Sequence, residues 1–154
     1  MALPADLARL VELCRLARAE FGEQQRGGAV FVAREARAEP VDETLADALV
    51  DPARAVVVGL FDGAVAGYGT GRTEVLTDGQ RLGVIDDLFV EDGFRGVGVG
   101  GAVMGRLLAW FGDRRCAGID AVALPGQRAT KNFFEGNGFT ARLIVMHRRL
   151  GADD

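Results

Sequence analysis

The segment FRGVGVGG, residues 94–101, constrains the fold more than any other part of the sequence. Closely spaced glycines directly before an apolar helical pattern predict a tight turn that opens a helix, because glycine adopts positive φ angles at little cost. Two motifs overlap in this segment: G-x-G-x-x-G, which starts at Gly96, and R-G-x-G-x-G, which starts at Arg95. The first is the pattern of dinucleotide-binding turns, and the second forms a different cradle for a pyrophosphate.

The dinucleotide interpretation fails on the surrounding sequence. It requires an apolar strand that runs directly into the first glycine, but the preceding pattern has Asp86 and Asp87 in its middle and five further residues, 91–95, before the glycine. The acidic residue at about the right distance downstream, Asp120, precedes its strand rather than ending it. A Walker loop is excluded, because no glycine of the segment is followed by Lys-Ser or Lys-Thr.

The remaining interpretation is a phosphate cradle at a helix N-terminus. Glycines at 96, 98, 100 and 101 leave successive backbone N–H groups unobstructed where the helix dipole favours an anion. Arg95 adds a positive charge at the entrance. The alternative is a flexible glycine connection with no ligand, since a glycine-rich turn is a weak motif by itself.

The N-terminal third of the chain is predicted to be helical. Apolar residues at spacings of three and four predict a helix over 4–23, and VDETLADALV after Pro40 predicts a second helix that ends before Asp51-Pro52. Between them, AVFVA at 29–33 is interpreted as a short strand or as part of a longer crossing segment. The conformation of residues 24–40 stays open at this point.

The middle of the chain has the pattern of a meander. Asp-Gly dipeptides at 62–63 and 78–79 separate apolar, β-branched runs and are typical of tight hairpin turns. The sequence therefore predicts three antiparallel strands between residues 55 and 90.

The C-terminal part alternates helix and strand patterns. The sequence predicts a helix from Val99 to near Gly112, a short buried strand over 119–124, a helix over 127–137, and one or two strands over 139–150. No linker, repeat or low-complexity tract divides the chain, so we expect one α+β domain over residues 1–154.

Composition narrows the function classes. The net charge is −4 and no basic run is interleaved with aromatic residues, so neither a nucleic acid nor a membrane is an expected partner. The two cysteines, Cys14 and Cys116, form no metal-binding spacing and are interpreted as small buried residues. With no secretory pattern at the start of the chain, we expect a cytoplasmic protein without a metal centre.

Two motifs resemble those of the GCN5-related N-acetyltransferases, the GNAT family. IDDLFVEDGFRGVGVGGAVMGRLLAW resembles the core motif of that family, and QRATKNFFEGNGF resembles its second motif, with the likeness extending over residues 55–150. The resemblance implies a mixed, mostly antiparallel sheet flanked by helices, with acetyl-CoA in a slot between two splayed strands.

The resemblance also implies the cofactor contacts. The backbone of Leu88, Phe89 and Val90 would pair with the pantetheine arm of acetyl-CoA. The pyrophosphate would lie on the turn formed by Arg95, Gly96, Val97, Gly98, Val99, Gly100 and Gly101. Candidates on the next helix for contacts with the pantetheine or a phosphate are Gln127, Lys131 and Asn132. An equal alternative for the lysine is a solvated surface position.

Asp86 and Asp87 are the candidate catalytic residues. On a regular strand their side chains point to opposite faces, so we expect at most one to face a substrate. By resemblance to polyamine and aminosugar acetyltransferases, Asp86 is the candidate base, acting through water, and Asp87 positions the amine or forms a structural pair. A backbone N–H near Phe89 or Val90 would polarise the thioester carbonyl. A purely structural hydrogen-bond role for either acid is the alternative.

The sequence departs from the family at the general acid. Phe134 stands where the family tyrosine often protonates the leaving thiolate, and neither Tyr68 nor His147 is assigned as its replacement. The chain also opens on a helix rather than a strand, and the segment after Phe139 is short, which makes a homodimer that completes the sheet a possible arrangement.

The function expected from these motifs is acetyl transfer from acetyl-CoA to a primary amine of a small molecule of the polyamine, aminosugar or amino-acid type. The missing tyrosine favours one alternative, a non-catalytic acyl-CoA-binding sensor. A protein amine as the acceptor is a second alternative, and a nucleotide-binding domain is a distant third.

Overall fold

Three helices form the N-terminal third of the computed structural model, which describes residues 1–151. After a 3-10 turn, α1 spans Leu7–Gly22, α2 spans Gly28–Arg34 and α3 spans Val41–Val50. The apolar positions at helical spacing are buried, namely Leu10, Leu13, Cys14 and Ala17 of α1 and Val41, Leu45 and Ala48 of α3. The two helices predicted from this spacing are confirmed.

Of the two alternatives left open for residues 29–33, the short strand is wrong, because this segment lies within helix α2. Its valines have high β propensity, but no sheet edge lies beside it, and tertiary packing decides such short segments. Phe31 packs on Phe21 of α1 with 4.8 Å between ring centroids, which anchors the helix. Gly27, with φ of 82°, lets the chain turn directly into it.

The predicted meander is confirmed. Strands β1 (Arg54–Phe61), β2 (Ala64–Val75) and β3 (Arg81–Val90) are antiparallel neighbours in that order. Both central residues of the first turn, Asp62 and Gly63, have positive φ angles of 48° and 81°, as a two-residue hairpin requires.

The glycine turn leads into helix α4 (Val99–Asp113), which returns the chain to the parallel strand β4 (Gly118–Asp120) and then to helix α5 (Arg128–Gly136). Both helices were predicted. The strand predicted at 119–124 is shorter and only half-buried, because β4 pairs with Leu82–Val84 of β3 alone and the two strands then part.

Helices cover both faces of the sheet and give the molecule three layers. One core lies between the sheet and α1 with α3, and its largest sheet residues are Tyr68 and Phe89. The other lies between the sheet and α4 with α5, and includes Leu107, Phe111 and Phe134. This is the mixed, mostly antiparallel α+β architecture that the sequence predicts.

The one or two strands expected over 139–150 are not present. Residues 140–150 are exposed and carry no secondary structure, and the apolar run 143–146 has exposed fractions of 69–88%. A strand needs a partner ladder, and among residues 1–151 none pairs with this segment. The expectation that the chain opens on a helix holds, although the N–H of Ala2 donates to the carbonyl of Val56 in β1 at 2.9 Å.

No helix in the described part of the chain is long and apolar enough to cross a membrane. The assignment of residues 1–154 to one domain stays a prediction, and residues 152–154 lie outside the described range.

The close contact between α4 and the sheet makes a stability prediction. A Cβ at Gly83 would lie 2.6 Å from Cδ1 of Phe111, which is fully buried and has no room to move. We expect Gly83→Ala to destabilise the fold by about 1–3 kcal/mol, measured by denaturant unfolding.

The matched control is Gly105→Ala in α4, where a Cβ meets no atom within 4 Å. It should stabilise the protein by about 0.5–1 kcal/mol, because alanine loses less backbone entropy in a helix. Equal effects of the two substitutions would contradict this packing.

Candidate functional site

The glycine turn between β3 and α4 forms an open cradle. Gly96 and Gly98 have φ angles of 77° and 93°, which side chains rarely tolerate, and Gly98 is the N-cap of α4 without a capping side chain. A Cβ at either position, or at Gly101 in the first helical turn, would meet no atom within 4 Å. The N–H groups of the first turn have no intrahelical acceptor and no capping side chain, and the helix dipole favours an anion at this end.

The other residues of the predicted cradle differ in what they present. The Val97 side chain is exposed, whereas Val99 is buried against the sheet, so only its backbone can face a ligand. At Gly100 a Cβ would contact the ring of Phe133 at 3.4 Å. The half-exposed Arg95 donates to Glu20 at 2.7 Å and to the carbonyl of Val90 at 2.8 Å.

The end of β3 offers backbone groups on its outer side. The N–H of Glu91 donates to the carbonyl of Ala66 in β2 at 2.9 Å, so by strand alternation the backbone groups of Phe89 point toward β2 and those of Leu88 and Val90 point away. Within residues 1–151, no strand pairs with β3 on that side beyond Val84. An extended ligand has a free edge to pair with there.

Of the candidates around α5, one forms a local ion pair. Lys131 pairs with Glu135 one turn along the helix at 2.8 Å, and its side chain is 61% exposed, which favours the surface interpretation. Asn132 is exposed, and the Oε1 of Gln127 accepts from the N–H of Leu124 at 3.0 Å. Phe134 is buried and packs on the neighbouring aromatic rings.

The candidate catalytic acids lie at an irregularity in β3. Thr70 of β2 stands opposite Asp87, and the next residue of β2 stands opposite Ile85, so Asp86 is the extra residue of a β-bulge. The bulge interrupts the alternation of side chains. As a result Asp87 contacts Tyr68 and Thr70, Asp86 contacts Arg72, and these three β2 residues share one face.

The expectation that the two acids face opposite sides of the sheet was therefore wrong. Both side chains point toward the layer of α1 and α3, because Asp86 is an extra residue in β3 and the alternation of side chains is interrupted at that point.

Asp86 lines a cavity of about 420 Å³ between the sheet and the N-terminal helical layer. Its side chain is 27% exposed, its Oδ1 accepts from Nε of Arg72 at 3.0 Å, and its Oδ2 lies 4.0 Å from Nη1 of Arg54. Further charged residues around the cavity are Glu35, Arg37, Asp47 and Asp51.

The two acids differ in electrostatic setting. Burial raises the pKa of Asp86, against the opposing effect of Arg72, whose guanidinium favours the charged carboxylate. The side chain of Asp87 is 11% exposed, and its carboxylate accepts hydrogen bonds from Arg37, Thr70 and Tyr68. Asp86 is thus the acid with access to a bound molecule.

A metal-binding group is not found in the described range, since residues 1–151 contain no cluster of three or more His, Cys, Asp or Glu side chains suited to a metal ion.

A family model described as "Acetyltransferase (GNAT) family" matches residues 11–139. The chain belongs to this acetyltransferase family. No curated protein matches it. The fold is that of GNAT acetyltransferases, whose members in general use acetyl-CoA and act on amines.

Solved structures have the same fold. The tetramutant of the BH1408 protein from Bacillus halodurans superposes with a TM-score of 0.81 at 16% identity, covering 97% of each chain. An aminoglycoside acetyltransferase from an uncultured soil metagenomic sample, in complex with sisomicin, gives 0.68 at 19% identity, covering 97% of this chain and 91% of that one. A ribosomal-protein-alanine N-acetyltransferase from Brucella melitensis gives 0.65 at 18%, covering 95% and 94%. Likeness at such identities shows the fold alone.

Sequence reasoning missed the residues that build the cavity of this GNAT domain. Arg72 had a usable signal, because it continues the polar alternation of Tyr68 and Thr70 along β2. Arg37 had none, since it lies between two short helices in a segment whose conformation the sequence left open.

The electrostatic setting of Asp86 predicts its titration. In a carboxyl-carbon NMR titration we expect Asp86 to ionise at a higher pH than an ordinary aspartate, because burial disfavours its charged form. Arg72→Gln should raise this pKa further, since it removes the guanidinium that favours the carboxylate.

Asp120 provides the internal control in the same spectra. Hydrogen bonding from Arg142 lowers the pKa of Asp120, so it should ionise before Asp86, and Arg142→Gln should move only Asp120. An Asp86 transition at or below that of Asp120 would show that the site is more solvated than the structure indicates.

Proposed function

We propose that the protein transfers the acetyl group of acetyl-CoA to a primary amine of a small molecule of the polyamine, aminosugar or amino-acid type. The observation that carries this proposal is the bulge in β3, which directs Asp86 into a cavity, two residues before the strand edge suited to the cofactor. Membership of the acetyltransferase family supports the reaction class.

The proposed cofactor site follows the strand edge and the cradle. The outward backbone groups of Leu88 and Val90 would pair with the pantetheine arm, whereas those of Phe89, predicted to join them, point toward β2. The turn at 95–101 would bind the pyrophosphate through N–H groups and Arg95. The free outer edge of β3 and the open space above Gly101 support this placement. Gln127 and Asn132 remain candidates for further contacts.

In the proposed reaction Asp86 accepts a proton from the acceptor ammonium through a water molecule. The amine nitrogen then attacks the thioester carbon, a C–N bond forms and the C–S bond breaks, and the second proton of the nitrogen passes through water to the departing CoA thiolate. A backbone N–H at the end of β3 polarises the carbonyl. Four carboxylates and three guanidiniums line the cavity, and this small negative excess favours a cationic acceptor. One structural neighbour is an aminoglycoside acetyltransferase.

Phe134 supports a second candidate, a non-catalytic acyl-CoA-binding sensor. It is buried in the core on the α4 side and offers no proton to a departing thiolate. Tyr68 does not replace it, because its hydroxyl is buried against Asp87, and burial raises its pKa well above the usual value. His147 lies in the exposed C-terminal segment. Catalysis then requires that the thiolate leaves without a tyrosine.

Three further proposals concern the domain organisation, the oligomeric state and the location of the protein. A single domain is supported by the two cores that share one sheet. A homodimer that completes the sheet is supported by the exposed apolar run 143–146. A cytoplasmic location is supported by the free thiols of Cys14 and Cys116.

Gly101→Glu tests the cofactor cradle. The position is helical, a side chain meets no atom within 4 Å, and an acid in the first turn of a helix is favourable, so the fold should keep or gain stability. The same carboxylate should repel the pyrophosphate and weaken acetyl-CoA binding by about tenfold or more, measured by calorimetric titration.

Ala109→Glu adds the same charge to an exposed position two turns further along α4 and should leave the affinity unchanged. Unaltered acetyl-CoA binding in Gly101→Glu would place the cofactor elsewhere.

Asp86→Asn tests the proposed base. We expect kcat/KM to fall by about 10²- to 10⁴-fold while the dissociation constant for acetyl-CoA stays the same. In the wild type the rate should rise with pH as Asp86 ionises, at a pH above the usual aspartate range, and this limb should vanish in the variant.

The assay is thiol release from acetyl-CoA with spermidine, kanamycin and L-lysine as separate acceptors. Binding of acetyl-CoA without release from any amine would favour the sensor, and a full rate in Asp86→Asn would exclude this residue as the base.

A further inference from the structure

Arg37 is the most deeply buried guanidinium that borders the cavity, with a side chain only 7% exposed. It lies in the connection between α2 and α3. Its Nε and Nη2 donate to Oδ2 of Asp87 at 3.0 and 2.6 Å, and Nη2 also donates to Oγ1 of Thr70 at 3.1 Å. Its Nη1 donates to the carbonyl of Thr44 in α3 at 3.3 Å. The planar guanidinium of Arg37 thus bonds the sheet and helix α3 at once.

Asp87 is equally well satisfied. Besides Arg37, its Oδ2 accepts from the Thr70 hydroxyl at 2.5 Å, and its Oδ1 accepts from the Tyr68 hydroxyl at 3.3 Å. Every one of these donors belongs to the protein interior. A carboxylate held in this way fixes the backbone that carries it and leaves no oxygen for an incoming amine.

These bonds join the two layers between which the cavity lies. Thr44 belongs to α3, and the carbonyl of Arg37 accepts a hydrogen bond from Arg18 of α1, whereas Thr70 and Asp87 belong to the sheet. The helical wall of the cavity is the segment 35–48, together with Asp51. The sheet wall carries Asp86, the direct chain neighbour of Asp87.

We infer that the Arg37–Asp87 pair is a positioning device for acetyl transfer: it fixes the distance between segment 35–48 and the bulge, and thereby the space around Asp86 in which the acceptor binds. This inference rests on the proposed function, since it assigns the cavity to the acceptor. Arg37 borders the cavity, but its guanidinium nitrogens are all bonded to protein groups, so it acts through the geometry of the wall.

The pair also explains why two adjacent acids have separate roles. Asp87 anchors the bulge through four hydrogen bonds, and this anchoring directs Asp86 into the cavity. Losing the anchor would release both the wall and the bulge. Acceptor binding should therefore suffer, while the cradle at 95–101, which makes no contact with Arg37, should not.

The test uses the double variant Arg37→Gln with Asp87→Asn. Removal of Arg37 alone would leave a buried carboxylate without a counter-charge and would endanger the fold, whereas the double variant removes both charges and keeps amide groups of similar shape. Arg37→Lys keeps the charge but not the fork. Arg142→Gln, which breaks an exposed ion pair in the C-terminal segment, is the control.

Two readouts apply to each variant. In hydrogen exchange, backbone amides of residues 35–48 should exchange about tenfold faster or more in the double variant, with those of 99–113 unchanged. In the thiol-release assay with spermidine, kanamycin or L-lysine, the KM for the amine should rise about tenfold or more while the KM for acetyl-CoA stays within about twofold. Arg37→Lys should be intermediate in both, and the control should match the wild type.

Unchanged exchange in 35–48, or an equal rise throughout the chain, would overturn the inference, as would a parallel change in both KM values. If the wild type releases thiol with none of the amines, the proposed acceptors are wrong. The exchange measurement then decides by itself whether the pair holds the wall.

Discussion

The extra residue in β3 is the constraint on which the candidate site depends. In a strand covered by helices on both faces, two adjacent aspartates on a regular ladder would send one carboxylate into the apolar layer under α4, at a large desolvation cost. The bulge at Asp86 avoids this, because it turns Asp86 and Asp87 to the same side. On the opposite side the sheet is closely packed: a Cβ at Gly69 or Gly71 would lie within 3 Å of side chains of α4. The helix that carries the cradle is therefore held directly behind the bulge.

Asp87 and Asp86 then differ in the contacts that they make and in their access to the cavity. Asp87 is enclosed by Arg37, Thr70 and Tyr68, and such a fully paired buried network specifies one arrangement of the elements that it joins. Asp86 keeps contact with the cavity and has a raised pKa because it is partly desolvated. A single carboxylate could not provide both properties, since complete pairing closes it to a bound molecule and partial exposure weakens the anchor.

Much of this arrangement could be predicted from local sequence, and the parts that failed share one physical cause. The turn at Asp62, the helix after Gly98 and the stripe of α1 are set by φ preferences and by helical spacing, which are local properties. The final strands predicted over 139–150 and the strand alternative for 29–33 were wrong, because pairing depends on a free sheet edge, which no local pattern reveals. The bulge was missed for a related reason: a one-residue excess appears only when β2 and β3 are aligned.

The candidate site shows the same difference between features set by local sequence and features set by distant segments. The cradle at 95–101 was assigned from its glycines, and the structure places it at the N-terminus of α4 with open space above it. The cavity was not foreseen, because its walls come from the connection between α2 and α3, from α3 and from three strands.

The ion pair between Asp86 and Arg72 bears on how a cationic acceptor enters this cavity. An ammonium that reaches Asp86 competes with the guanidinium already bound there at 3.0 Å. Arg72 has a second carboxylate partner, Glu74, so it stays neutralised when Asp86 exchanges it for the ammonium. The incoming ammonium adds one positive charge to the site, after which Asp86 and Glu74 each pair with one cation. A cationic acceptor of the proposed kind would thus gain a carboxylate partner without leaving Arg72 unpaired, whereas a neutral amine would leave the Asp86–Arg72 pair in place.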